Sequence, residues 1–217
     1  MATSTPIPSP EQPVRLVPKT EEPAKGQLAG DPALVGLPSF IVGGAAFGMV
    51  LIGVVPATAV AAAIPIILTA AAGMFLATIW AARIGENVPA GINAIVGSFF
   101  LSYSLLVLGL SHNWYLLTPA VVEDTQKVFV ISWIIVVTML VLATLRLPSI
   151  YTALFTLVDA ALILNLLGII QSSADLTKAA GWVVLAASAI VVYLFCSSAS
   201  RSTGGKELPL GRPVLRT

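Results

Sequence analysis

Residues 128–170 read VFVISWIIVVTMLVLATLRLPSIYTALFTLVDAALILNLLGII. A bilayer core about 30 Å thick needs about 20 residues of helix to cross it, so this run holds two crossings. Pro148 divides them, because its ring disfavours helix at the preceding residue and it lacks an N–H for the ladder. The residues are apolar on all sides instead of alternating. With no water to satisfy unpaired backbone groups in lipid, such segments cross as helices. Deep in this stretch stands one acidic side chain, Asp159.

The same reading extends outward to six spans: 37–55, 59–82, 91–111, 128–147, 150–171 and 179–198. Pro56 ends the first, Gly85 to Pro89 separates the second from the third, and Ser111 to Lys127 forms the longest loop. Pro65 lies inside the second span, where its missing N–H predicts a bend. The fold class is therefore all-α, an integral membrane bundle of six transmembrane helices.

Composition agrees and excludes other classes. Hydrophobic residues make up 57% of the chain, charged residues 10%, and the mean hydropathy is +0.96, which rules out a conventional soluble core. The formal net charge of +1 provides no basic stripe for nucleic acid. A single cysteine, Cys196, and a single histidine, His112, supply neither a disulfide framework nor a metal centre. No cofactor and no metal are expected.

Orientation follows from Lys and Arg placement. Arg15, Lys19, Lys25, Arg83, Arg146, Arg201, Lys206, Arg212 and Arg216 fall on one side of a six-span chain, and only Lys127 and Lys178 on the other. The positive-inside rule then puts both termini in the cytoplasm. Trp80, Trp114, Tyr115, Tyr151 and Trp182 lie near predicted span ends, where amphipathic rings favour the interface.

Residues 1–30 are rich in proline and polar side chains and are expected to form a disordered cytoplasmic tail. They lack a basic start followed by a short apolar run, so no cleavable signal peptide is predicted. Residues 31–200 are expected to form the six-helix transmembrane domain and 201–217 a short basic cytoplasmic tail. Gly44 and Gly48 make a GxxxG pair in the first span, and small residues crowd the second, which suits close helix packing within the subunit in preference to a subunit interface.

The start of the first span reads Asp31-Pro32-Ala33-Leu34-Val35-Gly36-Leu37-Pro38-Ser39-Phe40, which resembles the signature of the acetate uptake transporter family, the acetate and succinate permeases. That signature is Asn-Pro-Ala-Pro-Leu-Gly-Leu, two residues, then Phe. Pro32, Ala33, Gly36, Leu37 and Phe40 keep its register, while Asp31 stands for Asn and Leu34-Val35 for Pro-Leu. Gly97-Ser98-Phe99, Trp133, Ala180-Gly181-Trp182 and the ending Leu208-Pro209-Leu210-Gly211 match in order. Together they extend the resemblance over nearly the whole chain after residue 30.

The resemblance implies six helices per subunit, a homohexamer in the plasma membrane, and a path through each protomer for a small carboxylate anion. It also implies a constriction made by a Phe, a Tyr and a Leu. By motif these positions are Phe40, Val96 and Leu157; without one gap near Pro148, Val158 replaces Leu157. Val96 in place of Tyr removes a hydroxyl and widens the ring. Met74 and Ala81 stand where polar residues are expected, and Gly85 to Gly91 departs from the family's Gly-Asn-Thr-Phe-Gly loop.

Beside this ring, Ser39, Asn93 and Ser98 are candidate polar contacts on the substrate path, with interhelical hydrogen bonding as the alternative. Asp159 is the candidate proton site, since an acid at mid-bilayer costs about 2.5–3.5 kcal/mol on insertion scales and a neutralised acid no longer repels an anion. Helical geometry bears on it: residues two apart point about 200° from each other, so if Leu157 lines the ring Asp159 faces a neighbouring helix or subunit, whereas Val158 in its place is only about 100° away and both could border one cavity. Asn165 is expected to be structural, and His112, Glu123 and Asp124 solvated.

No phosphate cradle, catalytic triad or pair of membrane acids suggests an enzyme. The leading reading is a permease or channel for acetate or a similar monocarboxylate, with proton coupling as a hypothesis. Its alternatives are a channel for a neutral solute such as an amide, urea or ammonia, and a non-transporting scaffold.

Overall fold

A computed structural model describes residues 30–215; the predicted tail over 1–30 lies almost wholly outside them. Six long helices follow one another: α1 (Ala33–Ile52), α2 (Ile64–Arg83), α3 (Asn87–Ser111), α4 (Pro119–Thr144), α5 (Ser149–Ile170) and α6 (Ala174–Ser202). All six are long and apolar enough to cross a membrane. The α5 start after Pro148 agrees with the division read from the sequence.

Several boundaries differ from the predicted spans, and some have a local reason. Helix α1 begins at Ala33 and carries Pro38 inside it, because the Asp31 carboxylate accepts the Ala33 N–H at 2.9 Å and satisfies one of the free donors of the first turn. The second span opens as a 3-10 segment, Ala57–Ala63, before α2. Pro65 thus falls in the first turn of α2, where its missing N–H has no intrahelical partner to lose, and it starts a helix instead of bending one. Helix α4 begins nine residues before the predicted apolar boundary, at Pro119. There Lys127 pairs with Glu123 at 2.6 Å and Asp124 at 3.4 Å, the i,i+4 and i,i+3 spacings that support an exposed helical turn. Ser173 caps α6 by accepting the Leu176 N–H.

Neighbours in space run α3, α2, α1, α6, α5, α4, each packed on the next, whereas α3 and α4 barely touch. The bundle is a ring of helices with one weak seam. Glycine sets the closest approaches. A Cβ on Gly181 of α6 would lie 2.8 Å from the Gly48 carbonyl oxygen and 2.9 Å from the Ile52 nitrogen of α1, and one on Gly44 would meet the Ser188 hydroxyl of α6 at 2.7 Å. The Gly44–Gly48 pair therefore serves packing inside the subunit, as read from the sequence.

The C-terminal segment folds back over the bundle. Leu208 N donates to Ser197 Oγ (3.1 Å), Tyr193 Oη to the Pro209 carbonyl (2.9 Å), Ile150 N to the Leu210 carbonyl (3.3 Å) and Leu215 N to the Leu145 carbonyl (2.9 Å). It thereby crosses α6, the start of α5 and the α4–α5 turn. Arg201 Nη2 lies 2.7 Å from Asp31 Oδ2, which places the start of α1 and the end of α6 on the same side of the bundle.

Candidate functional site

Helix α1 contributes Phe40, Gly44 and Phe47 to the centre of the bundle, α3 contributes Val96, Phe99 and Phe100, and α5 contributes Phe155, Val158 and Leu162. The α3 and α5 sets are spaced by three, four or seven residues, so each lies on one helical face. With Trp133, Val137 and Leu140 of α4 and Val184 of α6 they enclose a cavity of about 50 Å³. It has room for very few water molecules, and its lining is aliphatic and aromatic.

Two larger chambers flank it. On the side holding Asp31 and Arg201, Ile95 and Leu140 belong both to the central cavity and to a chamber of about 210 Å³ that also meets Asn87, Gly91, Thr144 and Leu147. On the far side, Phe47, Phe99 and Leu162 belong both to the cavity and to a chamber of about 390 Å³ lined also by Tyr103, Gln126, Asn165 and Thr177. Three spaces thus lie in file along the bundle, with shared walls and a narrow apolar middle.

Aromatic rings form the far wall and close the weak seam between α3 and α4. Phe99 stands 5.3 Å from Trp133 and 5.4 Å from Phe47, both edge-to-face, and 6.0 Å from Phe129. Tyr103 meets Phe47 at 4.8 Å. Such edge-to-face pairs add about 0.5–1.5 kcal/mol beyond area burial, so these rings hold one another in place.

Phe40 and Val96 both line this cavity, as does Val158, the alternative without a gap near Pro148, whereas Leu157 does not. Leu157 packs at the margin of the core without joining the cavity lining. Residues 155, 158 and 162 share a face of α5 from which 157 is turned away. Phe47, Phe99 and Trp133 are lining residues that the sequence reading does not single out; the seven-residue step from Phe40 to Phe47 and the three-residue step from Val96 to Phe99 signal the first two, and no such step points to Trp133.

The expected polar contacts lie elsewhere. Ser39 Oγ donates to the Val35 carbonyl at 2.8 Å and faces Gly73 of α2. Asn93 fills the space left by Gly36, where a Cβ would lie 2.8 Å from its Oδ1. Neither these two nor Ser98 lines the cavity. Thr138 Oγ1 donates to Asp159 at 3.1 and 3.3 Å, on an exposed strip between α4 and α5. Asp159 does not line the central cavity or either flanking chamber. Among the described residues no group of His, Cys, Asp and Glu is arranged to hold a metal ion.

Comparison with known proteins agrees with this architecture. The fold matches a solved structure described as the bacterial acetate channel SatP, with a TM-score of 0.73 at 20% identity over 84% of this chain and 99% of that one. No curated protein matches by sequence. The family model described as the GPR1/FUN34/yaaH family matches residues 14–204, most of the chain, and the protein belongs to that family.

Proposed function

We propose that this protein is a permease or channel for acetate or a similarly small monocarboxylate. It works as a homo-oligomer, a hexamer by resemblance, in the plasma membrane, with both termini in the cytoplasm. The observation that carries this reading is the file of three cavities through one protomer, with a small apolar middle to whose lining Phe40, Val96 and Val158 all contribute. Family membership and the fold shared with an acetate channel support it.

The chemistry of the constriction sets what passes. An apolar throat this small resists hydrated ions by dewetting, while a two-carbon acyl tail loses little by entering it. An unpaired carboxylate is costly in such surroundings, so passage of the acid together with a proton is favoured over passage of the bare anion. The proton then travels on the substrate, and Asp159 is not needed to carry it. A second reading, a channel for a small neutral amide, urea or ammonia, draws on the same apolar lining and on Val96, which offers no hydroxyl to a carboxylate.

Labelled acetate uptake into proteoliposomes under an imposed pH gradient tests the proposal. Accumulation driven by the gradient supports coupled transport, and equilibration without accumulation supports a channel. Absence of protein-dependent acetate flux removes both and leaves the neutral-solute reading, checked by acetamide flux in the same vesicles.

A further inference from the structure

The far chamber holds three polar side chains from three helices that packing does not explain. Tyr103 of α3, Gln126 of α4 and Asn165 of α5 all line it, and all three are partly buried. None forms a hydrogen bond to another described residue, and none of their side-chain polar atoms is fully sealed from the chamber or solvent. By contrast, Ser39, Thr144 and Ser188 each bond a backbone carbonyl of their own helix. Donors and acceptors from three helices turned to one space, with no protein partner of their own, are available to a solute in that space.

We propose that Tyr103, Gln126 and Asn165 form a binding site for the carboxyl group of the transported acid, on the far side of the Phe47–Phe99 wall. Tyr103 is seven residues beyond Val96, two turns along the same face of α3. The hydroxyl absent from the constriction thus reappears at the threshold of the path. The chamber lining contains no cation, and two amides and a phenol both donate and accept. That set suits a planar carboxyl head that can be ionised in the chamber and protonated before it enters the throat, with its acyl tail against the edge-to-face rings of Phe47 and Phe99.

This site rests on the transport reading above, and its test is designed to separate the two. Acetate binding to the purified full-length protein is followed by saturation-transfer NMR, and labelled acetate uptake is measured against concentration in proteoliposomes. Tyr103→Phe keeps the ring contacts and removes one hydrogen bond, so half-saturation and apparent Kd should both rise about three- to ten-fold. Asn165→Leu and Gln126→Leu should weaken binding in the same direction, while Thr69→Val, on the exposed face of α2, should not. Binding and half-saturation equal to wild type in Tyr103→Phe would overturn the site even if transport stands. Wild-type binding weakened by Tyr103→Phe without any flux upholds the site and sinks the transport reading. Absence of acetate binding to the wild type sinks the site outright.

Discussion

Arg201 at the end of α6 donates to Asp31 before the start of α1 at 2.7 Å, across 170 residues of sequence. The other carboxylate oxygen of Asp31 accepts the Ala33 N–H at 2.9 Å. One side chain therefore caps α1 and ties it to α6. This accounts for the departure from the family signature: Asp31 keeps the acceptor that an asparagine would offer and adds a charge for Arg201.

Asp31→Asn should cost less than Asp31→Ala, because the amide oxygen can still accept the Ala33 N–H. Arg201 is 57% exposed at its side chain, so the charged half is worth about 0.2–1 kcal/mol, and capping about 1 kcal/mol. Thermal unfolding in detergent should show Asp31→Ala falling furthest. In an Arg201→Ala background, Asp31→Asn should add no further loss; a full extra loss would contradict the pairing.

Gly181→Ala and Gly91→Ala should move stability in opposite directions. The new methyl at 181 meets backbone atoms of α1 within 3 Å, and overpacking of this kind costs about 1–3 kcal/mol. At Gly91 nothing lies within 4 Å of where a Cβ would stand, and alanine gains up to about 1 kcal/mol of helix propensity. Melting temperatures of the two variants check this directly.

Val96→Tyr should narrow the throat and return a hydroxyl to it. The expected outcome is slower flux overall with a higher ratio of acetate to propionate and to acetamide. Competition uptake in proteoliposomes measures the ratios. Unaltered flux and selectivity would mean that Val96 does not border the path.

Asp159→Asn should leave the pH dependence of uptake unchanged. Asp159 contacts Thr138 on the outside of the α4–α5 pair, away from the cavity. A pH profile displaced by the asparagine would restore Asp159 as a proton site.

The sequence carries the fold because apolar runs and prolines act locally, and Pro148 is the one signal that divides α4 from α5. The ends were less legible where a helix extends past the apolar slab. Glu123, Asp124 and Lys127 read as loop by hydropathy, but they pair with one another along a helical turn near the start of α4. At the site, Phe40 and Val96 followed from motif register, whereas Leu157 against Val158 turned on a single gap that no composition can place. Ser39 and Asn93 illustrate a different limit. Position near a ring in sequence does not fix direction, and only the facing glycines, Gly73 and Gly36, reveal that both point into helix seams.

The central claim is that solute passes between Phe40, Val96 and Val158, and a matched pair of substitutions on α5 tests it most directly. Val158→Phe places a ring in a cavity of about 50 Å³, while Leu157→Phe places it at the margin of the core. With equal amounts of folded protein in the vesicles, initial labelled-acetate uptake should fall at least about ten-fold in Val158→Phe, equivalent to about 1.4 kcal/mol on the barrier, and stay within about two-fold of wild type in Leu157→Phe. Loss of uptake in Leu157→Phe with Val158→Phe still active would contradict the account.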